Sequence, residues 1–326
     1  MTGQVVHVPG RSDRIACLEV LCFEKLLLVG AADRVVVMTR TKPPWMETVW
    51  PAARLIRQLD PDANVEELLS LRVDAAFRTL AYPAQGKIDK LAALGIPVLV
   101  SQAAGPSAPK TVEEFLETRK RMVRLFAAVV GGPSKARAEA WCAYHDEKVA
   151  MVRARLAGVP PAGRPRAYYL RGPAANHTQG VSSATYWYGE LAGADMVVKR
   201  AALAGKGDVA LEELLRWDPQ FIGVGRQYSA QLILGDPRWA GTTAVKTDLV
   251  RELPDGVFYW DGSTEGILLM LYLAKALHPD RFPDLDLTDE VRAYYRRFYG
   301  YSLDAHEAAL LLAGKGPDGR RWNDSR

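Results

Sequence analysis

The 326-residue sequence has few cysteines and scattered histidines, and these absences exclude several kinds of site. Its three cysteines, Cys17, Cys22 and Cys142, include no CxxC pair, so we interpret them as small buried apolar side chains. The five histidines do not cluster with each other or with cysteine, which argues against a zinc centre. They are His7, His145, His177, His278 and His306.

The sequence also lacks a large net charge and long hydrophobic runs. With 42 basic and 38 acidic residues, the net charge of +4 gives no argument for a nucleic-acid partner. No run of 18 apolar residues occurs, so the sequence predicts no membrane span. The N-terminus has no apolar segment of the signal-peptide type. The protein is therefore either cytosolic or begins after a removed signal segment.

The common catalytic motifs are absent as well. We find no GxSxG elbow, no P-loop, no GxGxxG and no His/Glu metal pair. Asp261 and Glu265 form a pair of carboxylates four residues apart, but this pattern is more typical of a helix start than of an acid–base site. We therefore expect no enzymatic activity, no catalytic residue and no intrinsic cofactor.

What the sequence does contain is one long uninterrupted helix pattern over residues 134–156. Ser134 is a candidate N-cap, and Gly158 followed by prolines ends the pattern. Such a helix would span about 35 Å at 1.5 Å per residue. Its apolar positions form a single stripe: Trp141, Tyr144, Val149, Val152 and Leu156.

Similar sequence segments occur before and after this helix, at residues 65–77 and 211–222. Each reads as a helix with two adjacent glutamates followed by an apolar strand, and strands alternating with helices imply parallel βα units. The predicted fold is α/β, with two similar lobes of mainly parallel sheets joined by the long helix. We expect an N-terminal lobe over residues 1–133, the helix over 134–157, and a C-terminal lobe with terminal helices over 158–326.

The local patterns place strands and helices along both halves. Predicted strands cover residues 4–8, 34–38, 75–77, 97–100, 167–170, 221–224 and 257–259. Predicted helices cover residues 24–29, 65–71, 88–94, 111–129, 183–191, 212–216, 265–277, 289–298 and 303–312.

Polar and aromatic residues follow these strands, where ligands bind in open α/β sheets. Four arginines on four such loops favour an anionic ligand, since a guanidinium binds oxyanions through two N–H groups. The interleaved tyrosines and tryptophans suit a planar or organic ligand. For any single arginine, a solvated surface position is an equal alternative. The strand-end candidates are Arg40, Trp45, Arg78, Tyr82, Arg171, His177, Arg226, Gln227, Tyr228, Tyr259 and Trp260.

A set of residues along nearly the whole chain resembles one family, the class III periplasmic substrate-binding proteins of ABC importers. The resemblance lies in the order and spacing of many residues rather than in one motif. These residues are Gly3, Gln4, Val5, Pro9, Arg14, Ile15, Glu24 and residues 30–36, 64–66, 71–74, 91–98, 191–194, 211–219, 244–247, 260–265 and 273–282. The family serves ferric siderophores, haem, cobalamin and, in one branch, molybdate or tungstate.

The resemblance implies two α/β lobes joined by one long helix, with the ligand held in a cleft between them. It also implies that a glutamate on each lobe docks onto arginines of the membrane permease. The matching positions are Glu66 and Glu212, although their neighbours Glu67 and Glu213 leave the assignment open. Acidic residues in a first helical turn also complement the helix dipole, which is the ordinary alternative.

The segment Asn176–Gly180 corresponds to a Thr-x-Gly segment of the family and adds a histidine. Thr178 is therefore a candidate ligand-binding residue, and His177 could touch a metal or hydrogen-bond an anion. The ordinary alternative for His177 is a solvent-exposed loop residue.

These observations predict a monomeric binding protein outside the cytoplasmic membrane, periplasmic or lipid-anchored, that captures an anionic metal complex and delivers it to an ABC permease. A ferric siderophore or other iron chelate is the expected cargo. Haem, molybdate or tungstate, and cobalamin are alternatives within the family. Alternatives outside it are a two-lobed metal-chelate enzyme such as a chelatase, and a cytosolic sensor on the same scaffold.

Overall fold

A computed structural model describes residues 5–8, 10–59, 65–79, 90–102 and 108–321. The chain divides into two compact units, the first comprising Met1–Tyr144 with Arg297–Gly300 and the second His145–Arg296 with Tyr301–Arg326. Each unit contains its own sheet and helices, which confirms the predicted α/β class. The sequence predicts the long helix as a separate linker, whereas the division into units falls between two of its residues, Tyr144 and His145.

The sheet of the first unit has five strands, and all of its pairs are parallel. The strands are β1 (Ile15–Cys17), β2 (Val35–Thr39), β3 (Arg57–Leu59), β4 (Ala75–Thr79) and β5 (Val98–Gln102). Their spatial order is β3-β2-β1-β4-β5. The strands β2 and β3 lie on one side of β1, and β4 and β5 lie on the other side. Central strands of this kind are covered on both faces, which explains the continuous apolar run of β2.

Helices accompany these strands. They are α1 (Cys22–Leu28), α2 (Met46–Val49), α3 (Val65–Ser70) and α4 (Val112–Val130), and residues 90–93 are also helical. The start of α4 is as predicted, because the Thr111 side chain accepts a hydrogen bond from the Glu114 backbone N–H at 3.1 Å. Short 3₁₀ turns cover Ala32–Arg34 and Pro51–Leu55.

The long helix α5 extends over Ser134–Arg155, close to its predicted bounds. Four of the five stripe residues are buried, with Trp141 and Val152 at 0% exposure and Tyr144 and Val149 at 5%. Within the described residues, no helix combines the length and the apolar character that crossing a bilayer requires.

The sheet of the second unit is mixed. Its strands are β6 (Arg166–Leu170), β7 (His177–Gln179), β8 (Asp195–Met196), β9 (Lys206–Asp208), β10 (Phe221–Val224) and β11 (Val250–Glu252). The order is β11-β10-β6-β7-β9, with β8 paired to β6. The pairs β6–β10 and β10–β11 are parallel, whereas β7 runs antiparallel to both of its neighbours.

Helices of the second unit follow the predicted order. They are α6 (Ala184–Leu191), α7 (Leu211–Trp217), α8 (Gln231–Leu234), α9 (Thr243–Lys246), α10 (Gly266–Leu277), α11 (Leu287–Tyr294) and α12 (Ala305–Leu312). A π-helical turn, Tyr295–Tyr299, follows α11, and 3₁₀ turns cover Pro161–Gly163, Val197–Ala201, Pro237–Gly241 and Pro279–Arg281. The two similar sequence segments, residues 65–77 and 211–222, form α3 before β4 and α7 before β10. They are therefore equivalent helix–strand units.

Each sheet packs on its own hydrophobic core. Val37 and Ala76 lie in the core of the first unit, and Ile222 and Trp239 lie in the core of the second. Burying a side chain such as Ile222 stabilises the fold by roughly 1.5–3 kcal/mol. These cores hold the strands in place and thereby fix the positions of the loops at their ends.

Two strand predictions are wrong. Residues 5–8 have no regular structure, and residues 257–259 form a loop in which only an isolated bridge joins Asp255 to Tyr259. In that loop the buried Glu265 carboxylate accepts from the backbone N–H of Val257 at 3.3 Å and of Phe258 at 2.9 Å. A side chain thus satisfies N–H groups that a strand would pair in a ladder. The last strand is β11, which the sequence analysis missed.

The interpretation of the cysteines also needs correction. Cys17 and Cys22 are joined in a disulfide, whereas Cys142 is buried and not disulfide-bonded. The chain turns directly from β1 into α1, which brings the two Cα atoms to 5.3 Å, a separation typical of disulfides. All three side chains are buried as predicted, but two of them form a crosslink.

Candidate ligand-binding site

The carboxyl ends of β6 and β10 bring two of the predicted arginines together. These strands are parallel neighbours, with Tyr169 opposite Gly223 and Leu170 opposite Val224. Arg171 directly follows β6, and Arg226 stands two residues beyond β10. The sheet register therefore places both guanidinium groups at the same edge of the second unit.

A buried carboxylate, Asp261, joins the two arginines. Its side chain is 2% exposed and accepts from Nε of Arg171 at 2.6 Å. Nε of Arg226 lies 2.8 Å from both of its oxygens, and the Tyr169 hydroxyl donates to it at 3.1 Å. Burial alone would raise the pKa of Asp261, but the charges of Arg226 and Arg171 outweigh it and hold that pKa below its usual range.

This arrangement leaves both arginine side chains partly exposed. The side chains of Arg171 and Arg226 are 16% and 23% exposed. No acceptor among the described residues receives a hydrogen bond from the terminal nitrogens of Arg226. With the Gln179 amide oriented to donate to Thr185, its oxygen accepts from Nη1 of Arg171 at 3.2 Å. Asp261 and the two arginines carry a net charge of +1, which suits an anion.

The backbone beneath Arg226 is strained. Arg226 and Gln227 have φ values of 52° and 62°, so two consecutive non-glycine residues are left-handed. Such residues cost on the order of 1 kcal/mol each or more and persist where the surroundings hold them. Gln227 is buried and its amide donates to Asp255 at 2.8 Å, while the Arg226 guanidinium lies 4.8 Å from the centre of the Tyr259 ring. These contacts fix the direction of the Arg226 side chain.

Asp255 is a second buried carboxyl beside this group. It is 2% exposed, and its oxygen accepts from the neutral Gln227 amide rather than from a cation. Burial raises its pKa to about 8, although the hydrogen bond from Gln227 opposes the shift. The two carboxyl groups thus differ in charge at neutral pH because only one of them receives the arginines.

Other predicted residues of the second unit have structural roles. Thr178 is 1% exposed and donates to the Tyr169 carbonyl at 2.5 Å. Tyr228 packs against the hydrophobic core, and Trp260 is 1% exposed. The ring of Trp260 therefore lies in the interior, and its predicted ligand contact stays a prediction.

His177 lies on an antiparallel strand, β7, rather than in a loop. Its Nδ1 is 2.6 Å from an oxygen of Asp208 on β9, and its side chain is 27% exposed. Within the described part of the chain, no group of three His, Cys, Asp or Glu side chains could hold a metal ion. The structure therefore gives no support to His177 as a metal contact.

The predicted residues of the first unit do not gather into a comparable site. Arg40 follows β2 and is exposed, whereas Trp45 is fully buried, and its ligand contact stays a prediction. Arg78 lies within β4 rather than beyond it and is 7% exposed. Tyr82 lies outside the described residues.

The carboxyl end of β1 instead holds a buried polar cluster that the sequence analysis missed. Glu19 accepts from the Ser101 hydroxyl at 2.8 Å and from the Leu21 N–H at 3.0 Å. Lys25 is fully buried and donates to the Leu21 carbonyl at 2.7 Å, and burial lowers its pKa despite the opposing charges of Glu19 and Glu24. This cluster stands beside the Cys17–Cys22 disulfide and orders the turn from β1 to α1.

The key carboxylate of the second unit was visible in the sequence but was interpreted as a helix cap. Asp261 follows Tyr259 and Trp260, and its arginine partners lie in the loops after β6 and β10, 90 and 35 residues earlier. Only the sheet register could reveal that pairing. Asp255 and Tyr169 gave no separate signal, because their roles depend on burial.

Both predicted docking glutamates occupy the second position of a short helix. Glu66 on α3 and Glu212 on α7 are exposed, whereas Glu67 and Glu213 are half-buried. Glu67 forms an ion pair with Arg57. Exposure thus distinguishes the predicted residues from their neighbours.

Comparison with known proteins defines the family. Residues 15–257 match the sequence model described as periplasmic binding protein. The molybdate-binding protein MolA of Haemophilus influenzae is 30% identical over 260 residues, covering 76% of this chain and 72% of MolA.

Solved structures show the same fold. MolA of Haemophilus influenzae bound to molybdate superposes with a TM-score of 0.80 at 25% identity, covering 92% of this chain and 96% of MolA. A periplasmic solute-binding protein from Veillonella parvula gives a TM-score of 0.78 at 23% identity, covering 96% and 95%. The chain belongs to the periplasmic binding protein family, as its resemblance to the class III substrate-binding proteins of ABC importers implied.

Proposed function

We propose that this protein is an extracytoplasmic receptor that binds a small oxyanion, molybdate or tungstate, and delivers it to an ABC importer. One observation carries the proposal: Asp261 fixes Arg171 and Arg226 through their Nε atoms, and both side chains remain partly exposed. A guanidinium held in this way can donate hydrogen bonds from its outer nitrogens to an oxyanion without first losing conformational entropy.

The burial of aromatic residues favours an oxyanion over a ferric siderophore. A siderophore offers a large organic shell, and the sequence analysis matched that shell to tryptophans and tyrosines. Trp45 and Trp260 are buried, and Tyr228 packs on the core, so these rings support the fold. The loss of this support favours a small ligand held mainly by charge and hydrogen bonds. The similarity to a molybdate-binding relative points in the same direction.

A ferric chelate of small hydroxycarboxylates is the second candidate. Tyr259 is half-buried, and its ring packs against the guanidinium of Arg226 at 4.8 Å. The remaining ring surface could contact an organic ligand whose carboxylates bind the arginines. This candidate keeps the predicted negative charge and needs no large aromatic pocket.

The disulfide and the glutamates support the location and the partner. Disulfides persist mainly in oxidising compartments such as the periplasm, so Cys17–Cys22 favours a site outside the cytoplasm. Glu66 and Glu212 are exposed on short helices, which leaves them accessible to basic residues of a permease.

Isothermal titration calorimetry with molybdate, tungstate, sulfate, ferric citrate and a ferric catecholate tests the proposal. Calorimetry is preferable to tryptophan quenching because Trp45 and Trp260 are buried. We expect molybdate and tungstate to bind, and Arg226→Gln or Arg171→Gln to weaken binding by roughly 10- to 100-fold, the effect of one charge-assisted hydrogen bond.

Arg238→Gln is the matched control, because Arg238 is an exposed arginine paired with Asp236. It should bind like the wild type. Binding of only the ferric catecholate, or equal affinity of the Arg226 and Arg238 variants, would contradict the proposal.

A further inference from the structure

The second unit contains two buried carboxyl groups, and only one of them accepts hydrogen bonds from the arginine pair. Asp261 receives Nε of both Arg171 and Arg226, at 2.6 and 2.8 Å. Asp255 is equally buried, but its partner is the amide of Gln227 at 2.8 Å. Within the described residues, Asp255 has no ion-pair partner. A carboxylate in such a place lacks the compensation that a buried charge requires.

The groups that face Asp255 come from three segments. They are Tyr169 on β6, Arg226 and Gln227 in the turn after β10, and Tyr259, Asp261 and the backbone N–H of Trp260 in the loop before α10. Burial raises the pKa of Tyr169 and Tyr259, so neither supplies charge near neutral pH. Arg226 is the cation of the set, and Asp261 already accepts its Nε.

We propose that Asp255 is the proton-binding group of the anion site, so that the oxyanion binds preferentially to the protein in which Asp255 is protonated. The inference rests on the proposed function, because it concerns the same arginine pair. The charge of the group changes with this proton. With neutral Asp255, Arg171, Arg226 and Asp261 leave a net charge of +1; with ionised Asp255, the net charge is zero.

The hydrogen bond from Gln227 allows Asp255 to gain or lose a proton without disrupting the turn at Arg226 and Gln227. The amide donates to Oδ2 of Asp255, and a carboxyl oxygen accepts this bond in either protonation state. Ionisation therefore removes attraction for an anion while the left-handed turn at Arg226 and Gln227 keeps its support.

The direction of the linkage follows from charge. A bound anion near Arg226 disfavours a second negative charge at Asp255, so binding increases proton occupancy. Burial raises the pKa of Asp255 to about 8 in the free protein. Affinity should thus be highest below about pH 8 and fall as the pH rises above it. A coupling of one pKa unit corresponds to a tenfold change in affinity.

Two measurements test the inference. Calorimetric titration of molybdate at about pH 6.5 and pH 9 should show a dissociation constant roughly tenfold larger at the higher pH. Asp255→Asn should reduce this ratio to less than about twofold, whereas Asp248→Asn, at an exposed carboxyl, should keep the wild-type ratio. If ferric citrate is the probe that binds, the same ratio is measured with it. An equal ratio in wild type and Asp255→Asn would overturn the inference.

A ligand-free measurement separates this inference from the proposed function. Carbon-13 NMR of the aspartate carboxyl groups should show one resonance that titrates near pH 8 and is missing in Asp255→Asn. Failure of every probe anion to bind, with that resonance present, would contradict the proposed function and leave the proton site established. Titration of Asp255 near its ordinary value would overturn the inference whatever binds.

Discussion

Gly225 lies so close to Tyr169 that a β-carbon on the glycine would overlap the tyrosine hydroxyl. That hydroxyl donates to Asp261, the carboxylate that orients both arginines. Replacing Gly225 with alanine should displace the Tyr169 ring and remove this hydrogen bond. We expect Gly225→Ala to weaken molybdate binding by roughly tenfold, the effect of losing one hydrogen bond to a charged group.

Calorimetry checks this prediction, and Gly241→Ala provides the control. A β-carbon at Gly241 would meet nothing within 4 Å, so its variant should bind like the wild type. Equal affinity in the two alanine variants would show that Tyr169 does not help to orient the arginines.

The unfolding free energy should depend on pH through Asp255. Its pKa is raised to about 8 in the folded protein, above the ordinary value near 3.9 in an unfolded chain. A raised carboxyl pKa gives stability that is complete below about pH 4 and is lost as the pH rises through 8. The stability of the wild type relative to Asp255→Asn should thus fall between pH 5 and 8, by up to about 1.4 kcal/mol per pH unit.

Urea unfolding at about pH 5, 6.5 and 8 measures that difference. Asp248→Asn, which replaces an exposed carboxyl, should track the wild type at each pH. A constant difference between wild type and Asp255→Asn would mean that Asp255 titrates at its ordinary value.

The disulfide should stabilise the first unit by a modest amount. Cys17 and Cys22 are five residues apart, and closing so short a loop restricts the unfolded chain by about 2 kcal/mol in the chain-entropy account. The double variant Cys17→Ala/Cys22→Ala should lose about that much free energy of unfolding in urea.

Thiol counting provides the independent check. Alkylation of the denatured protein should label one cysteine, Cys142, without reductant and all three after reduction. Three reactive thiols in protein isolated from an oxidising compartment would contradict the crosslink.

Permease docking should depend on the two exposed glutamates. Charge reversal, Glu66→Lys with Glu212→Lys, should leave molybdate affinity unchanged, because both side chains are exposed on short helices and neither belongs to the Asp261 group. Uptake of labelled molybdate by cells carrying the cognate importer should fall by at least about tenfold, as expected when a charge pair at an interface is lost.

Asp248→Lys is the control for a surface charge reversal, since its carboxyl is 91% exposed. Normal uptake by the double glutamate variant, or equal loss in the control, would show that these acids do not dock.

The regular elements were largely accessible from the sequence because their signals are local. Helix α5 was predicted to within one residue at its C-terminal end, and β10 was predicted with its observed bounds. Apolar periodicity and end signals determine such elements. The loop at residues 257–259 has the same apolar character as a strand, but the buried Glu265 satisfies its N–H groups. No local pattern distinguishes that arrangement from a β ladder.

The site was only partly predictable, because its chemistry depends on distant residues. The strand-end rule identified Arg171 and Arg226 and placed Asp261 after a predicted strand, but it did not indicate that this carboxylate joins the two arginines. It also selected Trp45 and Trp260, whose large apolar rings are as well suited to a core as to a ligand pocket. Residue type alone does not reveal burial at a loop position.

At the proposed binding site, the left-handed turn at Arg226 and Gln227 places thermal stability and ligand binding in opposition. Glycine at either position would adopt the same backbone without a steric penalty. A laboratory selection for thermal stability alone would therefore accept glycine at position 226 or 227. Such a variant would lack either the Arg226 guanidinium or the Gln227 amide that holds the turn in place. Screens for a more thermostable variant of this protein therefore need a ligand-binding step in every round.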